Sequence, residues 1–208
     1  MLLHVWGPSP NARRVRMYLA EKNLFVPTED AGDGVQLSAM YKAKYPFAMV
    51  PMLELDDGTK IGEAMAICRY FEVLHLNPRL MGTTAKEAAV IEMWERRAYD
   101  EGLIGVAEIF RNTHPLFVDR GLPGYADPVP QINALVNRGR QRVHRFFQMF
   151  DRQLAGSDFV VGNHISVADI TAVCAIDFAK NIEVAIPDEY SHLHRWYETI
   201  CARPSAKA

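Results

Sequence analysis

Two spacings of apolar residues divide the chain. Over the first third, short apolar runs alternate with stretches spaced like helices, and beyond about residue 85 only the helical spacing continues. Leu2-Leu3-His4-Val5-Trp6 predicts a first strand, punctuated by Gly7-Pro8-Ser9-Pro10. Val15, Tyr18, Leu19 and Lys22 follow at helical spacing, with Asn23 as the stop. Leu24-Phe25-Val26-Pro27-Thr28 predicts a second, short strand, and Leu37 to Lys44 a short helix ending before Tyr45-Pro46. Met52-Leu53-Glu54-Leu55 and Lys60-Ile61 flank Asp56-Asp57-Gly58-Thr59, a hairpin signal because Asp-Gly tolerates positive φ. Glu63 to Leu76 predicts a helix, so residues 1–76 read βαβαββα.

Residues 77–84, with Asn77-Pro78-Arg79 and Gly82-Thr83-Thr84, read as a linker. Beyond them, Ile132, Val136, Gly139, Val143, Phe147, Phe150 and Leu154 step by three and four, which places one apolar stripe on a long helix. Val90, Trp94, Ala98, Val106 and Phe110 predict another, ended by Thr113-His114-Pro115. Gly121-Leu122-Pro123-Gly124 begins a loop reaching about Pro130. In Ser166-Val167-Ala168-Asp169, a serine N-cap and an acid three residues on form a capping box, with Ile165 and Ile170 as a hydrophobic staple. The expected architecture is a small α/β unit, residues 1–76, joined to an all-α unit, residues 85–208.

Composition narrows the functional classes. The 208 residues are 49% hydrophobic, enough for a substantial core. A net charge of -2 without a basic run argues against nucleic acid as a partner. No apolar run is long enough to span a membrane, and Met-Leu-Leu-His-Val-Trp lacks the pattern of a signal peptide. Three cysteines, Cys68, Cys174 and Cys201, without a Cys-x-x-Cys, fit buried thiols in a reducing, cytoplasmic setting. The histidines show no metal-ligand spacing, and the two of His192-x-His194 fall on different faces of a helix, so no metal site is expected.

Three short segments carry candidate chemistry. In Ser9-Pro10-Asn11, serine suits an N-cap and proline the first helical turn. A helix amino end offers unpaired N–H groups and partial positive charge, a setting that favours an anion such as a thiolate. A thiol of reference pKa ~8.5 becomes mostly ionised at neutral pH if lowered by about 2 units, which requires about 2.7 kcal/mol of preferential stabilisation. Val50-Pro51 sits at a strand start, where proline's missing N–H costs no ladder bond. Glu63 stands at the start of the next helix.

In this order and spacing the segments resemble the cytosolic glutathione transferases, and the resemblance covers nearly the whole chain. Ser9-Pro10-Asn11-Ala12-Arg13-Arg14-Val15-Arg16 resembles the turn into the first helix of the serine-type and related bacterial classes. Val50-Pro51 with Glu63 resembles the glutathione-binding half, and Gly162 to Asp169 the capping motif of the helical domain. The resemblance implies a thioredoxin-like α/β N-terminal domain followed by an all-α C-terminal helical bundle. It also implies glutathione as cosubstrate, a small hydrophobic electrophile and a symmetric homodimer. It makes Ser9 the prime thiolate donor and Asn11 the secondary one. Val50, across a cis bond to Pro51, would hold the cysteinyl backbone. Glu63 and the helix start at Ala64 would take the γ-glutamyl end. Most relatives carry serine where this chain has Ala64, and the lost hydrogen bond to a charged group is worth about 1.5–3 kcal/mol. Tyr99, Leu103, Phe110, Arg111 and Phe117 are candidates for the electrophile pocket. Two alternatives stay open: a glutathione-dependent peroxidase or disulfide reductase, and a non-catalytic binding module that has kept the fold.

Overall fold

The computed structural model describes residues 1–125 and 127–208. The first unit comprises β1 (Leu2–Val5), α1 (Pro10–Glu21), β2 (Thr28–Asp30), α2 (Ala39–Lys44), β3 (Met52–Glu54), β4 (Lys60–Gly62) and α3 (Ala64–Leu74). The order is βαβαββα, as the apolar spacing predicts. The strands form one mixed sheet, β2-β1-β3-β4, in which only β1 and β2 run parallel.

The second strand lies further along than Leu24–Thr28. Phe25 is 90% exposed, and Pro27 has no N–H to donate to a ladder. Pro27 contributes only its carbonyl, which accepts from Leu3 N at 2.9 Å, and register with β1 begins at Thr28 opposite Leu3. Residues 75–84 carry no helix or strand. They are nonetheless anchored: Lys22 Nζ, its side chain buried, donates to the carbonyls of His75 (2.7 Å) and Pro78 (2.6 Å) and pairs with Glu72. Glu72 in turn accepts from Leu80 N and Met81 N.

The second unit is helical: α4 (Ala85–Arg97), α5 (Ile104–Thr113), α6 (Asn133–Gln153), α7 (Val167–Lys180) and α8 (Ser191–Cys201). The single helix predicted through Val90 and Phe110 is α4 and α5 joined by a π-helical turn, Ala98–Leu103, in which Ile104 N–H reaches back five residues to the Tyr99 carbonyl. α5 stops at Thr113, ahead of Pro115. On α6 the predicted stripe is buried at Val136, Gly139, Val143, Phe147 and Phe150, while Ile132, its expected first member, precedes the helix and is exposed. Gly139 lets α5 approach closely: a Cβ there would meet the Gly105 carbonyl at 2.6 Å. The loop expected from Gly121 to about Pro130 includes residue 126, which lies outside the described residues.

α7 is buried on every side from Val167 to Ile176, as befits a helix at the centre of a bundle. Its capping box is present. Asp169 Oδ2 accepts from Ser166 N and Ser166 Oγ, both at 2.9 Å. Asp169 Oδ1 accepts from Val160 N and Trp196 Nε1, also at 2.9 Å, so the same carboxylate ties α7 to α8. α1 packs against both α3 and α7, and one apolar core runs from Leu3 through Tyr18 and Phe146 to Ile200. The start of α1 therefore faces the helical unit.

Candidate functional site

At the seam between the two units lies a cleft of about 180 Å³, several times the ~30 Å³ a water molecule occupies in the liquid. From the first unit it is bordered by Pro10 and Asn11, by Tyr45, by Met49-Val50-Pro51, and by Glu63 and Ala64. From the second it is bordered by Tyr99, Leu103, Ile104, Ala107 and Arg111, with Pro123 and Phe178. Of the helical residues, Tyr99 and Leu103 belong to the π turn. Ile104, Ala107 and Arg111 then recur at three and four along α5.

Three of the expected site residues stand apart from the cleft. Ser9 is buried, and its Oγ accepts from Ala12 N at 3.3 Å, so the hydroxyl oxygen caps α1. Phe110 packs edge-to-face against Phe117 and Phe178 and at a tilt against His114, so Phe110 and Phe117 belong to an aromatic cluster that meets the cleft only through Phe178. Several bordering residues carried no signal strong enough to select them: Tyr45, Met49, Pro123 and Phe178. Ile104 and Ala107 were within reach of a spacing argument from Leu103 and Arg111.

Asn11 has its orientation decided from behind. Arg14, one helical turn on, donates from Nη1 to Asn11 Oδ1 at 3.0 Å and from Nε to Thr171 Oγ1 at 3.0 Å. Its other terminal nitrogen pairs with Glu95, which also accepts from Thr171 Oγ1 at 3.1 Å. Arg14, Glu95 and Thr171 are all buried. Burial pushes the Glu95 pKa up, and the Arg14 guanidinium opposes that shift. A guanidinium only donates, so the Asn11 atom facing it is the carbonyl oxygen. The amide nitrogen of Asn11, on the cleft, is left without an acceptor among the described residues.

The backbone at the other end of the cleft is also unspent. The Val50–Pro51 bond is cis, and neither N–H nor C=O of Val50 bonds to another described main-chain group. Tyr41 Oη, donating to the Met49 carbonyl at 3.0 Å, steadies the segment. Glu63 adopts φ 61°, ψ 123°, a conformation costly for a residue with a Cβ. It offers α3 no side-chain cap, so the first-turn N–H groups beginning at Ala64 point out of the helix unpaired by a cap. Tyr45 stands over this corner: a Cβ on Gly62 would meet its Oη at 1.7 Å. Burial, reinforced by Glu63, pushes the Tyr45 pKa up and keeps it a neutral hydroxyl. Among the described residues no group of three metal-ligating side chains occurs, and no helix is long and apolar enough to cross a membrane.

Residues 8–74 match the glutathione S-transferase N-terminal domain and residues 113–204 the glutathione S-transferase C-terminal domain. Glutathione S-transferase 2 of Saccharomyces cerevisiae is 32% identical over 100% of this chain and 88% of its own length. The chain belongs to the glutathione S-transferase family. A solved glutathione S-transferase domain-containing protein from Marinobacter aquaeolei VT8 is 33% identical, with a TM-score of 0.90 over 99% of both chains. Similarity also extends to a protein that is not named as a transferase. Elongation factor 1-gamma of Schizosaccharomyces pombe is 25% identical over 76% of this chain, and the match spans only 36% of that factor's length.

Proposed function

We propose that this glutathione S-transferase family member binds glutathione along the first-unit wall of the cleft and conjugates its thiol to a hydrophobic electrophile held against the helical wall. The observation that carries the reading is the Asn11 carboxamide, turned by buried Arg14 so that its amide N–H₂ is the free end on the cleft. An N–H donor stabilises a thiolate and not a thiol, and so lowers the pKa of the bound sulfur. Asn11 is the principal donor in this scheme. Ser9 supports it by capping the helix whose amino end adds partial positive charge. In conjugation the thiol proton leaves to solvent, the sulfur forms a bond to the electrophilic carbon, and that carbon's leaving group departs.

Val50 would hold the cysteinyl backbone by one residue of strand addition. Glu63 would take the γ-glutamyl ammonium, and the uncapped start of α3 its carboxylate. The strained backbone of Glu63 has a measurable consequence. Glu63→Gly relieves a positive φ at the expense of the carboxylate, so unfolding free energy rises by about 1 kcal/mol. Glutathione affinity falls by about 10-fold or more, because a hydrogen bond to a charged group is lost. Chemical denaturation and calorimetry on one protein preparation read both, and a variant that loses stability without losing affinity would refute the assignment.

Ala64, without a hydroxyl, favours a second reading, a binding module that has kept the fold. A calorimetric glutathione titration separates the two: no binding at millimolar concentration favours the module. A panel of aryl halides, peroxides and mixed disulfides then separates conjugation from reduction. The proposal extends to a homodimer. Exposed Met40 and Phe47 on the first unit and Met93 on α4 are apolar surface that a second copy would cover. Sedimentation at micromolar concentration is expected to give twice the chain mass, and a monomer there would exclude it.

A further inference from the structure

The cleft contains a cation that no carboxylate among the described residues pairs with. Arg111, on α5, borders it beside Tyr99, Leu103, Ala107 and Phe178. Arg13 pairs with Asp177, Arg14 with Glu95 and Arg203 with Glu21, whereas Arg16, away from the cleft, reaches only the Gly7 carbonyl. The Arg111 guanidinium forms no ion pair and no hydrogen bond with any described residue. Only its main-chain carbonyl is engaged, accepting from Gln131 Nε2 at 2.8 Å. Burial lowers its basicity, with nearby Tyr99 as the one opposing influence. Arg111 is half-buried, and a guanidinium partly desolvated without a partner is less favourable than a paired one. Here the missing partner has a place to sit, a cleft whose nearby walls are apolar.

We infer that Arg111 is an anion receptor, and that the electrophile this protein takes is an apolar molecule carrying a carboxylate away from its reacting carbon. This rests on the transferase reading of the same cleft. A guanidinium matches a carboxylate with two parallel N–H···O bonds, which orients as well as attracts. Tyr99, Leu103, Ala107 and Phe178 supply the apolar bed for the body of the molecule. The carboxylate is thereby held on α5, while Asn11, on the opposite wall, faces the sulfur. Glutathione has carboxylates of its own, but the groups suited to its backbone and γ-glutamyl end, Val50, Glu63 and the start of α3, lie on the first unit.

Two measurements test the assignment. The first uses dinitrobenzoate and its methyl ester, which have no leaving group and cannot react, titrated calorimetrically without glutathione. The protein is expected to prefer the acid. Arg111→Leu should cut the acid-to-ester affinity ratio by about 10-fold, equivalent to ~1.4 kcal/mol, and Arg111→Lys should keep part of the preference. The second uses a chlorodinitrobenzoate and its methyl ester with glutathione. The sulfur–carbon bond forms, chloride leaves and the thiol proton passes to solvent. The ratio of kcat/KM values should fall in Arg111→Leu as the binding ratio does. Equal loss for acid and ester, no preference in the unmodified protein, or a rise in glutathione's KM alone overturns the receptor. Acid preference without turnover of either compound overturns the transferase reading and leaves the receptor standing.

Discussion

Asp169→Ala lowers the thermal unfolding midpoint by about 8–16 °C. The carboxylate accepts from Val160 N, Ser166 N, Ser166 Oγ and Trp196 Nε1, and both Asp169 and Ser166 are fully buried. Each donor left without an acceptor in the interior costs about 1–3 kcal/mol, less where the freed space admits water. A total near 4 kcal/mol is expected, and each kcal/mol shifts the midpoint of a chain of this size by about 2–4 °C. Asp169→Asn is milder, because one oxygen still accepts from its two donors while the amide replaces the other, where the Ser166 hydroxyl can turn to accept and only Ser166 N is left facing it. Trp196→Phe is milder again, since it removes a donor and leaves none orphaned. Circular dichroism melts rank the three. Below the transition the folded fraction of each variant should conjugate at the unmodified rate, because Asp169 lies in the capping box and not on the cleft. A melt for Asp169→Ala within a degree or so of the parent would show that the network contributes little.

Asn11→Ala raises the pKa of the bound glutathione thiol by about 1–2 units, since a hydrogen bond to a charged group is worth about 1.5–3 kcal/mol and one unit is 1.36 kcal/mol. The sign follows from which form the amide favours. It binds the thiolate, so its loss matters where the parent is ionised and the variant is not, near and below neutrality. Expected kcat/KM at about pH 6.5 falls some 10–100-fold, and the gap closes as pH rises past the variant's higher pKa. Asn11→Asp is the sharper test. It keeps an oxygen for Arg14, so the fold is retained, and it presents a negative charge to the sulfur, so the thiol pKa rises further than in the alanine variant. Ser9→Ala should cost about 1 kcal/mol of stability as a lost cap and move the thiol pKa little. Ultraviolet absorbance of the bound thiolate across pH reads all three. A larger shift from Ser9→Ala than from Asn11→Ala would return the leading role to the serine.

Much of the fold was legible in the chain because its signals are local. The steps of three and four along α6, the Asp-Gly turn between β3 and β4, and the Ser166–Asp169 capping box each connect residues whose neighbours in sequence are neighbours in space. Two boundaries were missed for local reasons of their own. Pro27 delayed β2 by lacking a donor, and the π turn between α4 and α5 left the apolar spacing nearly unchanged while rotating the face that follows.

The candidate site divides along the same line. By itself the sequence determined the α/β and all-α units, the segments Ser9-Pro10-Asn11, Val50-Pro51 and Glu63-Ala64, and Arg111 as a candidate. Only the tertiary structure decided that the Ser9 oxygen turns inward to cap α1 while Asn11 borders the cleft. It also decided that Phe110 packs edge-to-face against Phe178, and that Arg111 stands beside the cleft unpaired. Arg14, which orients Asn11, is itself held by Glu95 and Thr171, 81 and 157 residues from Arg14 along the chain. No periodicity reports such a separation, because periodicity records which residues share a face and not which face meets another. The direction of an amide and the pairing of a buried cation are settled by that second kind of contact.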